Sequence, residues 1–271
     1  MPELPEVETI KSELEEKIKG KKIKEVDIKL PKIINLPVKN FKKIIKGKII
    51  EKVSRRAKLI IIGLSQRWNL LIHLKLTGQL IYNGKEGKYT HLIFYFNDNS
   101  KLLFNDLRQF GYVKLLKDDE IEKIFIKNKL GPEPLDKSFT LKVLKDLLAK
   151  KKKQKIKPLL MDQAFISGLG NIYAQEICFY AKVLPTRVAA TLKEEEIKNI
   201  FKGIKKILIS AIKQKGSSID NYRDIYGKKG NYVPFLKVYQ RKGQKCFRCG
   251  GRVEEIKMAG RGTSFCPKCQ N

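Results

Sequence analysis

A chain of 271 residues with 42% hydrophobic content can bury one large core or two ordinary ones, and two are expected. Its 58 Lys and Arg against 28 Asp and Glu give a formal charge of +30, far beyond what solubility needs, so the expected partner is a polyanion, nucleic acid first. No stretch approaches the roughly 18 to 20 uninterrupted apolar residues of a membrane span, and the amino terminus lacks the basic-then-apolar pattern of a secretory signal, so a cytoplasmic, nucleoid-associated protein without membrane contact is expected.

The segment from Pro5 to Ile18 reads as a helix: proline suits the first turn, and Val7, Ile10, Leu14 and Ile18 recur at helical spacing. From Ile23 to about Leu116 the pattern changes to short β-type runs, such as Leu59–Leu64, Leu70–Leu74, Leu92–Phe96 and Tyr112–Leu116, separated by Gly, Asn and Asp turns. That pattern predicts a β-sandwich or barrel. The breaker cluster Leu130-Gly131-Pro132-Glu133-Pro134-Leu135 then marks a boundary, and strongly helical sequence follows to about Lys215. The polar, Gly-rich stretch 216–231 has no apolar periodicity and reads as a long loop, a kind of segment that is often functional. The expected architecture is α+β and multidomain: a sandwich domain with an amino-terminal helix over 1–130, a linker over 131–137, a helical domain over 138–240, and a metal-binding tail over 241–271. The run Lys150–Lys153 reads as a solvated face.

Five cysteines are present, four of them crowded into the tail, which suits a metal site in a reducing compartment better than a disulfide framework. Cys246-x-x-Cys249 and Cys266-x-x-Cys269 enclose sixteen residues, a spacing that lets two tight knuckles deliver four thiolates to one tetrahedral zinc ion. Four cysteines leave no open coordination position, so the zinc is expected to be structural. The intervening residues suit a β-hairpin whose turn presents Arg261. Cys178, between Ile177 and Phe179, reads as a core residue.

The chain opens Met-Pro-Glu-Leu-Pro-Glu. A small second residue permits removal of the initiator methionine, which leaves Pro2 with a free secondary amine. An α-amino group titrates near ~8 and a lysine near ~10.4, so a terminal amine starts closer to a usable nucleophile at neutral pH. Attack by a secondary amine on a sugar's anomeric carbon yields a permanently cationic iminium, an electron sink for later elimination. Glu3 and Glu6 lie beside this amine at a helix start, where two acids ordinarily do no more than complement the helix dipole. Glycosyl transfer also needs an acid, and burial favours the protonated form of a carboxyl while a helix N-terminus opposes it. Electrostatics alone leaves open which Glu is the acid.

The opening Pro2-Glu3-Leu4-Pro5-Glu6-Val7-Glu8-Thr9 resembles the amino-terminal signature of the formamidopyrimidine-DNA glycosylase family, oxidised-purine branch. Further matches follow in order: Arg55-Arg56-Ala57-Lys58, His73-Leu74-Lys75-Leu76-Thr77-Gly78, Asp106-Leu107-Arg108-Gln109-Phe110-Gly111, the run Gln163 to Tyr173, and the cysteine tail. The resemblance implies a bifunctional glycosylase/lyase that removes 8-oxoguanine and formamidopyrimidines from duplex DNA and nicks the abasic strand by β,δ-elimination. By the same resemblance Pro2 is the Schiff-base nucleophile, Glu3 the essential acid, and Glu6 a support for the site and its water. Lys58 handles phosphate and the abasic product; with His73, Asn171 and Arg261 it clamps phosphates from both domains, so DNA is expected in the cleft between them.

Base chemistry in a duplex requires extruding the nucleotide, and the hole left in the stack must be filled. Leu76, Arg108 and Phe110 match the family's void-filling trio, although Leu76 and Phe110 taken singly read as core residues. The 163–173 run is similar to the turn of a helix–two-turn–helix motif. Ser217 and Tyr222 match the loop that closes over the extruded base. Three positions depart from the family pattern: Leu76 stands where methionine is usual, Asp220 where a basic residue is common, and Gln240 where a glycine is common. His91 has no assigned role. The expected form is a monomer bound to damaged double-stranded DNA. The alternatives are an endonuclease-VIII-like enzyme for oxidised pyrimidines, disfavoured by Leu4, Arg108 and Phe110, and a non-catalytic damage-binding zinc protein, disfavoured by Pro2, Glu3 and Lys58 together.

Overall fold

Helix α1 (Leu4–Ile18) starts as its sequence dictates: Glu3 is extended at the N-cap, Pro5 occupies the first turn, and Val7, Ile10, Leu14 and Ile18 form one buried stripe. The computed structural model describes residues 1–219 and 221–271. It divides into two units, Met1–Asn128 with Ile212–Val233, and Lys129–Ala211 with Pro234–Asn271.

The first unit continues through β1 (Ile23–Ile28), α2 (Val38–Ile45), β2 (Ile50–Arg56), β3 (Leu59–Leu64), β4 (Trp68–His73), β5 (Gly78–Tyr82), β6 (Thr90–Phe96), β7 (Lys101–Asp106), β8 (Tyr112–Lys117) and α3 (Asp118–Lys127). Two antiparallel four-stranded sheets form, ordered β1-β6-β7-β5 and β2-β3-β4-β8. Val26, Leu80 and Phe94 of the first sheet share one core with Val53, Ile60 and Val113 of the second, and α1 packs on β2 and β3. This is the expected sandwich. Helices α2 and α3 were not legible within the β-patterned region, because α2 buries only Phe41 and Ile45 and α3 only Ile121, too few positions to set a period.

The chain crosses between sheets twice at one end of the sandwich. Residues 74–77 join β4 to β5, and residues 107–111 join β7 to β8, with His73 paired to Tyr112 and Gly78 to Asp106. The two turns are therefore neighbours.

The second unit holds α4 (Leu141–Lys150), α5 (Ile156–Met161), α6 (Asn171–Ala181), most of α7 (Glu194–Lys213), and the hairpin β9 (Glu254–Met258) with β10 (Arg261–Phe265). After α7 the segment to Tyr232 forms no helix or strand among the described residues. Its ends are tied by Asn231 N–H donating to Gln214 O at 2.8 Å and Tyr232 N–H to Gly216 O at 3.0 Å. Tyr222 and Ile225 enter the sandwich core, and Tyr82 N–H donates to Ile225 O at 2.8 Å, which is why this loop belongs with the first unit. No helix of the described residues is long and apolar enough to cross a membrane.

Candidate active site and nucleic-acid interface

At the amino terminus Met1 is exposed, while Pro2, Glu3 and Glu6 are buried, Glu3 at 2% and Glu6 at 1% exposure. The Glu6 carboxylate has donors on both oxygens. Oε2 accepts the Glu3 N–H at 2.8 Å, and Oε1 accepts the Ser217 N–H at 2.7 Å and its hydroxyl at 3.2 Å. One side chain thus fixes the residue that follows Pro2 and the start of the 216–231 loop. Gly216, at φ +77°, makes the approach feasible, since a Cβ there would lie 2.7 Å from Glu6 Oε1. One helical turn pair further on, Glu13 accepts from Lys215 Nζ at 2.8 Å and from the Ile225 N–H at 3.3 Å. Two carboxylates of α1 therefore pin both flanks of the loop. Within it, Ser218 Oγ donates to Tyr222 O at 3.0 Å and accepts from Gly230 N–H at 2.8 Å. The Tyr222 hydroxyl is buried, and burial, reinforced by the Glu6 charge, holds it far above its ordinary pKa.

Lys58 is buried beside the tight turn between β2 and β3, where Ala57 takes φ +54°. Arg55 braces that turn: its Nε donates to Glu8 Oε2 at 2.7 Å and its Nη1 to Ala57 O at 2.9 Å. His73 pairs across the sheet with Leu59, next to Lys58. Its Nδ1 accepts the Lys75 N–H at 2.9 Å, which leaves the proton on Nε2. Burial, then the charges of Lys75 and Lys58, push its pKa down to about 3, so the ring is a neutral donor.

The two crossover turns are held by Asp106, which is 1% exposed. Its Oδ1 accepts from the Thr77 hydroxyl and from Arg108 N–H at 3.2 Å, and its Oδ2 accepts from Gly111 N–H at 2.7 Å. Thr77 Oγ1 also accepts the Arg108 N–H at 2.9 Å. Gly111 has no room for a side chain, since a Cβ would meet Phe104 at 2.7 Å. The outcome is a rigid base from which Arg108 and Phe110 project: Phe110 is 56% exposed, and the guanidinium lies 5.2 Å from its ring centroid. Leu76 is partly exposed on the adjoining turn. Neither Leu76 nor Phe110 is a core residue, so the resemblance located them where hydrophobicity alone pointed inward. His91 receives a structural role, with Nε2 2.8 Å from Asp106 O.

In the second unit the Gly-rich turn before α6 is closed by Gln163, whose Nε2 donates to Leu169 O at 2.8 Å and whose Oε1 accepts Gly168 N–H at 2.9 Å. Asn171 opens α6 and donates from Nδ2 to Gly262 O at 3.3 Å, while its Oδ1 is buried without a partner among the described residues. Gly262 follows Arg261, which is exposed at the start of β10. Asn171 and Arg261 are thereby brought together, as Lys58 and His73 are in the other unit. Gln175 adds a second tie, accepting Ser264 N–H at 2.7 Å. Glu176 fixes the chain leading to the hairpin by accepting the N–H groups of Lys237, Val238 and Tyr239 at 2.8, 2.9 and 2.9 Å. Gln240 takes φ +55°, a left-handed conformation that explains why glycine suits this position.

The four tail cysteines place their Sγ atoms within 4.8 Å of one another. The Cys246–Cys269 and Cys249–Cys266 pairs lie 3.9 and 3.6 Å apart, close to the ~3.8 Å that tetrahedral zinc–thiolate bonds of about 2.3 Å require. The donor set fits one structural zinc ion and leaves no open position. Cys246, Val253 and Cys266 pack with Phe179 and Val238. Gln270 accepts Cys266 N–H at 2.8 Å and donates to Val183 O at 2.9 Å. Cys178 is fully buried and its thiol is pushed up to about 12 by burial, as a core residue's would be.

Residues 1–113 match the formamidopyrimidine-DNA glycosylase N-terminal domain, 130–223 the H2TH domain of the same enzymes, and 243–271 a zinc finger found in FPG and IleRS. The chain is 42% identical over 274 residues to the formamidopyrimidine-DNA glycosylase of Pelotomaculum thermopropionicum, covering 100% of this chain and 99% of that one. The chain belongs to the formamidopyrimidine-DNA glycosylase family. Among solved structures it is similar to a Lactococcus lactis FPG mutant in complex with Fapy-dG-containing DNA, with 38% identity, a TM-score of 0.93 and 100% coverage of both chains. A MutM complex with carbocyclic 8-oxo-G-containing DNA gives 38% identity and a TM-score of 0.92, again with 100% of both chains covered.

For a member of this family, the sequence motifs leave several residues on which the site rests unnamed or without a role. Ser217 and Tyr222 are where the loop pattern put them, but both are buried, and the Ser217 side chain is engaged by Glu6. Asp220 lies outside the described residues. Glu13 and Glu176 stand in no motif, and Arg55 and Asp106 stand within motifs that assign them no role, although an Asp two residues before a turn N–H commonly caps it. Asp106→Ala would leave the buried Gly111 N–H and Thr77 hydroxyl without the acceptor they share, at a cost of about 2 to 4 kcal/mol. A fall in melting temperature of roughly 5 to 15 °C is expected, and an unchanged melt would show that the turns do not depend on this carboxylate.

Proposed function

We propose that the chain is a bifunctional DNA glycosylase/lyase of base excision repair that removes oxidised purines, 8-oxoguanine and formamidopyrimidines, and cleaves the abasic strand by β,δ-elimination. The observation that carries the reading is the buried Pro2-Glu3 pair at the head of α1, with Glu6 joining it to the 216–231 loop. Once Met1 is removed, the Pro2 nitrogen attacks the sugar's anomeric carbon, the glycosidic bond breaks, and Glu3 supplies a proton to the departing base or the opening ring. Glu6 acts by placement. Lys58 and His73 on one unit, and Asn171 and Arg261 on the other, are the phosphate ligands. Leu76, Arg108 and Phe110 fill the void left by the extruded nucleotide, a role that their exposure supports. The exposed Arg108–Phe110 pair favours the purine branch over the endonuclease-VIII-like one. Domains at 1–130, 138–240 and 241–271, a monomeric state and a cytoplasmic site of action complete the reading.

The test is incubation of the zinc-loaded protein with lesion-containing duplex and borohydride, with mass spectrometry of the amino terminus. A covalent adduct at Pro2 is expected; excision without any trappable adduct would remove the amine mechanism.

Two further expectations concern binding. Because His73 is neutral with Nε2–H as donor, its share of DNA affinity should not change with pH across the ordinary imidazole range. Its depressed pKa means that folding stability is lost as pH falls from about 6.5 toward 3, where the unfolded chain takes up a proton and the folded one does not. The ratio of affinities for parent and His73→Gln should therefore be equal at pH 5.5 and 7.5. A ratio tenfold larger at the lower pH would mean that an imidazolium binds the phosphate.

Zinc removal, or Cys249→Ser, should weaken binding to an abasic-analogue duplex by roughly tenfold to a hundredfold, the usual worth of one charged hydrogen bond, here from Arg261. The melting temperature should move by only a few degrees, because the hairpin is a small appendage on α6. Retained affinity after confirmed metal loss would exclude this role.

A further inference from the structure

We infer that the groove at the other end of the sandwich is a second nucleic-acid site, which takes an unstacked base against Trp68 and its flanking phosphates on Lys22, Lys43, Lys46 and Lys48. The groove is a cavity of about 660 Å³ lined by these four lysines and Trp68, with Asn40, Ser65 and Gln66 as further polar groups and no acidic side chain. Its size lies within the range of sites that hold a nucleotide-sized ligand.

The charge in this groove is uncompensated. Lys11, Lys21, Lys29 and Lys101 of the same unit each pair with a carboxylate. None of the four groove lysines forms an ion pair among the described residues, and the buried Lys48 is instead held by the neutral Gln66 side chain. Trp68 is half-buried against the sandwich core and Lys117 Nζ stands 4.2 Å from its ring centroid, so a base is taken only on the part of the indole that the groove leaves open. The turn that forms one wall carries two successive non-glycine residues in the left-handed region, Gln66 at φ +63° and Arg67 at φ +62°. Both values belong to the tight hairpin turn that joins β3 to β4. Lys48, Lys117 and Asp118 hold this turn through Gln66 and Arg67.

The groove is separate from the catalytic end. Trp68 pairs with Leu64 and Lys117, whereas His73 pairs with Leu59 and Tyr112. The two ends of β4 are about five residues apart, or ~17 Å along the strand. An indole set among cations is the arrangement by which proteins hold single strands without sequence preference: the ring stacks a base and the cations track the backbone. An acidic peptide would use the lysines and leave the indole idle. A free phosphate would need only one or two of them.

Trp68 is the one tryptophan of the chain, so its emission reports on this groove alone. The zinc-loaded, full-length protein, first saturated with an abasic-analogue hairpin duplex to occupy the catalytic end, would be titrated with tetrathymidylate. Saturable quenching is expected, weakening as salt rises. Lys43 and Lys46 are exposed and free of ion pairs among the described residues, so Lys43→Glu/Lys46→Glu should lower the tetrathymidylate affinity at least tenfold. The Ser/Ser version should lower it less, and lesion excision by either should match the parent. Absence of saturable quenching, quenching that survives in the Glu/Glu variant, or equal quenching by octaglutamate or inorganic phosphate would each overturn the assignment. The probe carries no lesion, so this outcome is independent of the Pro2 chemistry.

Discussion

Glu3→Gln is expected to slow removal of a damaged base by about 10² to 10⁴, the usual worth of general acid catalysis, while strand cleavage at a pre-formed abasic site falls much less. The difference follows from what each substrate demands. On the proposed mechanism a damaged base leaves only with a proton, whereas at an abasic site the base has already gone and the Pro2 amine meets a ring-opened aldehyde. Glutamine keeps the shape and burial of Glu3 and leaves the backbone N–H that Glu6 accepts at 2.8 Å in place. The substitution therefore removes the proton with little disturbance of the helix start. Pro2→Gly is the complementary change: it keeps a terminal amine but makes it primary and flexible, so both substrates should slow while some borohydride trapping survives. Single-turnover measurement of both variants on both substrates separates the roles, because product release then does not mask chemistry. Equal losses on the two substrates for Glu3→Gln would move Glu3 to a role at the sugar and leave the acid to another group.

The parts legible in the sequence are those whose information is local. The α1 stripe, the strand Leu59–Leu64 and the paired cysteine knuckles are each written within about twenty residues, so period and spacing suffice. The motifs carried by family resemblance found Phe110 and Leu76 in spite of their apolar character. What escaped is long-range and polar. Glu13 meets Lys215 and Ile225, and Glu6 meets Ser217, across roughly two hundred residues of chain. No local pattern announces that a helix acid will be buried against a loop that distant. The same holds for the groove at Trp68: its lysines come from the residue before β1, from α2 and from the link between α2 and β2, and in a chain of charge +30 single lysines carry no signal.

That long-range junction makes Glu6 the residue whose loss should reach furthest. In Glu6→Ala three donors lose their acceptor at once: the Glu3 N–H, the Ser217 N–H and the Ser217 hydroxyl, all buried. Each unsatisfied buried donor costs about 1 to 3 kcal/mol, although the space left by the carboxylate admits water that recovers part of it. A net loss of roughly 2 to 5 kcal/mol is expected. The functional loss should exceed the stability loss, because the two groups released are the residue next to the proposed nucleophile and the root of the 216–231 loop. Glu6→Gln discriminates between charge and placement. Its amide oxygen can still accept from one side, but its NH₂ must face an N–H donor on the other, so it should keep part of the stability and little of the excision rate. Hydrogen exchange at the Ser217 and Ile225 amides provides the decisive readout. In Glu6→Ala protection should fall at Ser217 and persist at Ile225, which Glu13 holds independently at 3.3 Å. Loss of protection at both would mean that the loop opens as one unit, and survival at both, together with parental excision, would show that the Glu6 junction has no part in forming the site.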